Sequence, residues 1–126
     1  MVQVEDFSPS PGQGALALIA RKGDDDTIRM LESIEDSDSR LAADAERALS
    51  KVVESGCRFP IGAYARPDGD VMIISVHAFS VDGNDSIVVD RRGQKTDPDK
   101  LGTEAGLEMQ KRGVGDLALN LSLIHI

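Results

Sequence analysis

Hydrophobic and polar positions divide the chain into segments of distinct period. Gly12-Gln13-Gly14 is followed by an apolar run, Ala15-Leu16-Ala17-Leu18-Ile19-Ala20, which reads as a short strand buried on both faces. No partner for that strand precedes it, so its sheet is expected to be built by residues outside this sequence. Ile28, Leu31 and Ile34 recur at helical spacing behind three aspartates, Asp24 to Asp26, one of which can cap the helix. Ser37-Asp38-Ser39 breaks that helix and starts a second. There Leu41, Ala45, Ala48, Leu49, Val52 and Val53 form one apolar face, with Asp44, Arg47, Lys51 and Glu54 off it. Gly56 is a fitting helix stop.

The period then changes from helical to alternating. Residues 61–65 read as a strand, and Pro67-Asp68-Gly69-Asp70 as a turn. Residues 71–81 form a longer strand, with Met72, Ile74, Val76 and Ala78 on one side and Val71, Ile73, His77, Phe79 and Val81 on the other. Asp82-Gly83-Asn84 makes a second hairpin turn, and residues 86–92 return as a third strand. Asp97-Pro98 starts a last helix, with Asp as cap and Pro at its first position. Leu101, Ala105 and Met109 are its buried stripe. Gly102 and Gly106, four residues apart, allow close approach to a neighbouring helix, and Gly113 ends it. Residues 114–120 read as a short extension. The apolar stretch 121–126 has no period or cap linking it to the rest and is expected to be a non-native tail, which keeps His125 out of any functional argument. The pattern predicts an α+β fold: a three-stranded antiparallel sheet packed against helices, preceded by a detached strand belonging to an absent domain.

Composition narrows the functions open to such a fold. A chain of 126 residues carries one modest domain, with or without part of another. Aromatic residues are only 3%, so the core must be built from Ala, Val, Leu, Ile and Met. The formal net charge of −8 argues against a nucleic-acid partner. The longest apolar run falls far short of the roughly 18 residues that a membrane-spanning helix needs. No basic region followed by an apolar one opens the chain, so a signal peptide is not expected, and a reducing, cytoplasmic setting is the simplest. With one cysteine there is no internal disulfide, and His77 and His125 lack metal-ligand spacing, so no metal is expected.

The candidate chemistry centres on Cys57. It follows the helix stop at Gly56 and precedes Arg58-Phe59-Pro60, at a junction of helix and strand. A neighbouring cation favours thiolate while a helix C-terminus opposes it, so a strongly acidic thiol is not expected. The competing reading is a small buried hydrophobe. A Cys57–His77 catalytic pair is a third reading and requires hydrogen-bond reach between them. Gly12-Gln13-Gly14 lacks the Lys and Ser/Thr of a phosphate loop. The Asp24 to Asp26 run suits helix capping better than metal binding.

Three stretches together resemble one family. They are Ser10-Pro11-Gly12-Gln13-Gly14-Ala15-Leu16, Ala45-Glu46-Arg47-Ala48-Leu49, and Gly56-Cys57-Arg58-Phe59-Pro60-Ile61-Gly62-Ala63-Tyr64-Ala65. In this order and spacing, over about residues 8 to 119, the chain resembles the C-terminal part of porphobilinogen deaminase, also called hydroxymethylbilane synthase. The resemblance implies that residues 1–22 are the end of a first domain with its last strand, and that residues 23–120 are a third domain. It also implies a dipyrromethane cofactor held through a thioether at Cys57, with Gln13 and Gly14 lining the active-site cleft. Arg58 and Phe59 depart from the residues common in the family at these positions; Arg58 is a candidate contact for a cofactor carboxylate, with a solvated surface arginine as the competing reading. The implied reaction joins four porphobilinogens head to tail with loss of ammonia. Such chemistry needs a carboxylate beside cationic pyrroles and arginines for acetate and propionate groups. The resemblance assigns the essential Asp and most of those arginines to absent domains, so no catalytic residue is expected here and the chain alone should be inactive. The full-length enzyme is expected to be a monomer. The alternative is a non-catalytic α+β binding module with a structural cysteine.

Overall fold

The structure is a computed structural model that describes residues 8–53, 60–80 and 82–114. Helix α1 spans Asp25–Ser33, α2 Ser37–Val53 and α3 Pro98–Lys111; strands β1, β2 and β3 span Ile61–Asp68, Val71–Phe79 and Ser86–Gln94. The sheet order is β1-β2-β3, antiparallel throughout. This is the expected α+β meander with helices against one face.

Local chemistry accounts for the element ends. The Asp24 side chain caps α1 by accepting from the Thr27 amide and hydroxyl, which lowers its pKa. Asp97 accepts from the Lys100 amide, and Pro98 supplies a first position that needs no donor. Gly113 takes a φ of 92° just past α3. The β1–β2 loop has two residues, and its first, Gly69, has a φ of 63°. Strand β1 is therefore longer than the pattern suggests. Pro67 pairs with Met72 inside the strand instead of opening the turn. β1 is an edge strand of the sheet, where a residue without an N–H is tolerated. β3 likewise runs two residues further than expected.

Alternation puts Met72, Ile74, Val76 and Ala78 of β2 fully inside, facing Ala45 and Leu49 of α2 and Leu101, Ala105 and Met109 of α3 in one core. Each large side chain buried there contributes about 1.5–3 kcal/mol relative to exposure. The helix pair is close because α3 presents glycine. A Cβ on Gly102 would strike the Ala45 carbonyl and the Ala48 methyl; one on Gly106 would lie 2.7 Å from Val52 Cβ. Arg91 bridges β3 to α3 through Glu104 and Glu108, and Lys95 reaches Asp38 of α2 at 2.6 Å. Helix α1 stands apart: none of its residues is fully buried, and Ile34 beyond it is exposed.

The apolar run at 15–20 departs from expectation. It forms no strand in the described residues, and Leu16, Leu18 and Ile19 are 97%, 60% and 91% exposed. A strand exists only through hydrogen bonds to a neighbour, and no neighbour pairs with it here. The residues at 114–120 reach the described structure only at Val114, which is buried. Val81 and the stretch 121–126 lie outside the described residues.

Candidate functional site

The three motif stretches, distant in sequence, converge at one end of the domain. Residues 10–15 form a compact turn: the Gln13 amide donates to the Ser10 carbonyl, the Ala15 amide to that of Gly12, and the Ser10 amide to Gln13 Oε1. Gly12 adopts a φ of 75°, which glycine reaches without strain. Two contacts fasten this turn and the residues before it to the domain. The Ala63 amide of β1 donates to the Pro9 carbonyl at 2.8 Å, so the chain covers the start of the β1 edge. Ser8 lies over Gly62 so closely that any Cβ there would collide with it. That crossing gives the glycine of the Pro60-Ile61-Gly62-Ala63 stretch a steric reason.

The second fastening is Glu46. The residue is 8% exposed overall, and its carboxyl accepts the Gly12 amide at 3.4 Å. Burial pushes its pKa up to about 7, and the Gly12 hydrogen bond pulls the other way. The sequence pattern names Glu46 only as part of the Ala45-Glu46-Arg47-Ala48-Leu49 stretch and assigns it no face of α2. A carboxylate inside a helical stripe scores as polar, but its place next to Ala45 and three before Leu49 was the available signal.

Of the sequence-derived candidates, Gln13 and Gly14 are both exposed at this convergence; Gln13 spends its carbonyl oxygen within its own turn, and Gly14 has open space where a side chain would be. Cys57 and Arg58 lie outside the described residues, as does Gly56. Their flanks are described: α2 ends at Val53, which is buried, and the chain resumes at Pro60, which is exposed. His77 is on the far side of the sheet from the helices, edge-on to Phe79 with ring centroids 6.4 Å apart. That open face carries a concavity of about 460 Å³ lined by Tyr64, Arg66, Ser75, His77, Asp90 and Arg92, among others. Arg66 donates to Ser75 Oγ and lies 5.5 Å from the Tyr64 ring centroid, and Arg92 pairs with Asp68. Its arginines are thus engaged by groups of the face itself. Among the described residues no cluster of three or more His, Cys, Asp or Glu could hold a metal ion, and no helix is long and apolar enough to cross a membrane.

Comparison with known proteins fixes the family. Residues 40–111 match the family model described as porphobilinogen deaminase, C-terminal domain. The chain belongs to the porphobilinogen deaminase family. It is 56% identical over 119 residues to a "Probable porphobilinogen deaminase" of Nitrosopumilus maritimus strain SCM1, covering 94% of this chain and 38% of that protein. It is 33% identical over 112 residues to the porphobilinogen deaminase of Nitrobacter hamburgensis, covering 89% of this chain and 35% of the relative. The Corynebacterium glutamicum strain R enzyme is also 33% identical, covering 86% of this chain and 37% of the relative. The chain thus spans little more than a third of the length of these relatives.

Proposed function

We propose that residues 23–120 are the primer-carrying third domain of a hydroxymethylbilane synthase, with Cys57 as the covalent anchor of a dipyrromethane cofactor. The observation that carries this is the family match across residues 40–111, which contains the Gly56-Cys57-Arg58-Phe59-Pro60 motif, all of β1 and all but the first three residues of α2. The described flanks suit an anchor. Val53, the last described residue of α2, is buried, and the start of β1 is hydrogen-bonded, so both described flanks of the motif are tied into the domain. The cofactor supplies the growing end to which porphobilinogen units are added with release of ammonia. Cys57 contributes a thioether link that persists while later bonds are cut. Arg58 would be placed to meet a cofactor carboxylate, and Gln13 and Gly14 would line the cleft beside it.

The remaining assignments follow from the same reading. Residues 1–22 complete a first domain, where the exposed 15–20 run takes its place as that domain's last strand, and residues 121–126 are a non-native tail. The carboxylate that stabilises cationic pyrroles and the arginines that hold the acidic side chains belong to the rest of the enzyme. In keeping with this, Arg66, Arg91 and Arg92 of the sheet and Arg112 just past α3 are engaged by neighbouring groups. The enzyme works in the cytoplasm as a monomer on porphobilinogen, without nucleic acid or membrane.

Mass spectrometry of the full-length enzyme tests the anchor. The expected result is a mass increment of one dipyrromethane that disappears in Cys57→Ser. Active enzyme of unmodified mass would overturn the proposal and favour a structural cysteine. In that case Cys57 of the folded, cofactor-free protein should also resist alkylation.

A further inference from the structure

We propose that Glu46 is a positioning residue: by receiving the Gly12 amide it fixes the path along which the 8–14 segment leaves the domain. Three features carry this. The acceptor is buried, whereas the amide it receives belongs to an exposed turn 34 residues away. The turn is closed on itself by the Ser10–Gln13 and Gly12–Ala15 hydrogen bonds, so holding Gly12 holds the whole turn. A second fastening, Ala63 to Pro9, lies on β1, so the segment is clamped at two separate elements and cannot pivot about either.

The residue type adds to the argument. Burying a carboxylate is costly, and a neutral residue would serve a purely structural helix position better. A carboxylate, however, accepts an amide proton more strongly than a neutral carbonyl does. Among the described residues Glu46 takes part in no ion pair with α2, α3 or β1; its charged α2 neighbours Asp44 and Arg47 pair with each other at 3.4 Å. Its described partner is therefore the turn. The consequence for catalysis rests on the primer-anchoring reading. α2 and β1 are the two elements on either side of Cys57, so the clamp would hold Gly12, Gln13 and Gly14 in register with the anchor.

Amide hydrogen exchange on the 126-residue chain tests the clamp, comparing wild type with Glu46→Leu and Glu46→Gln. The Leu variant removes the acceptor and should speed exchange at Gly12 at least tenfold, with Ile74 and Val76 in the core unchanged. The Gln variant keeps a carbonyl acceptor and should retain most of the protection. Unchanged Gly12 exchange in Glu46→Leu would overturn the proposal. Should that variant fail to fold, the Gly12 amide chemical shift decides: it should titrate near neutral pH in wild type and not in Glu46→Gln, and a flat wild-type profile would also overturn it. Neither measurement needs a primer on Cys57, so this proposal and the anchoring reading can fail separately.

Discussion

Two apolar stretches of this chain, 15–20 and Val71–Phe79, look alike in composition and end in opposite states. In β2, Met72, Ile74, Val76 and Ala78 are completely buried between helices and flanking strands. In the earlier stretch, Leu16 and Ile19 are almost fully exposed and no strand forms. The difference does not lie in hydrophobicity. β2 is joined to both partners by short hairpins, so its hydrogen bonds and its apolar face are satisfied by nearby chain. The 15–20 stretch leaves the domain through a turn held at Pro9 and Gly12, and the described residues offer it no edge to pair with. An apolar run specifies burial only where a complementary surface comes within reach.

The comparison can be broken most forcefully from the packed side. Gly102→Ala puts a methyl group into the Ala45 carbonyl, where neither backbone can yield. The gain of about 1 kcal/mol in helix propensity is outweighed by overpacking, and a net loss of roughly 3 kcal/mol is expected in denaturant unfolding. A neutral or stabilising result would mean that α2 and α3 are further apart than described.

Next in size is the pH dependence that Glu46 imposes. Its pKa is raised from an ordinary 4.5 to about 7 in the folded protein. Between those values the folded state binds more protons than the unfolded chain, so stability falls as pH rises through that window. Burial is not complete at the carboxyl, and the expected loss is on the order of 2 kcal/mol. Glu46→Gln should remove this component, so that wild type and variant converge near pH 4.5 and differ most above pH 7. Parallel stability profiles for the two proteins would refute it.

Smaller still is the cap of α3. Asp97→Ala leaves the Lys100 amide without its side-chain acceptor and should cost about 1 kcal/mol, read as a lower melting temperature. The smallest effect on stability belongs to the exposed stretch. Leu16→Ser should change unfolding free energy by less than about 0.5 kcal/mol, while raising the concentration at which the isolated chain stays monomeric in light scattering. A large destabilisation by Leu16→Ser would show that the stretch is packed in solution and would erase the contrast with β2.

The candidate site was legible only in pieces. Cys57 stood out as the one thiol at a helix–strand junction, and the motif around it led to the family. Gly62 was part of that motif, but its reason, the crossing of Ser8, needs the fold. Glu46 was hidden because a helical stripe is scored by apolar residues, and a lone carboxylate within it looks like solvent-facing polarity. Pro67 was read as turn because proline is rare inside sheets; nothing in a linear pattern says that a strand will lie at the edge.

The sequence by itself determined the kinds and order of the elements. Periods of 3.6 and 2, the caps Asp24 and Asp97, and the glycines at 69, 83 and 113 are local signals, and local sterics and hydrogen bonding suffice to read them. It also determined that α3 could approach a neighbour closely at Gly102 and Gly106. Only the tertiary structure decided which neighbour that was, that Ser8 crosses Gly62, that Gly12 meets Glu46, and that Leu16 and Ile19 find no cover among the described residues. Those outcomes depend on contacts between residues tens of positions apart. Their free energy comes from surfaces meeting in space, which no local period encodes.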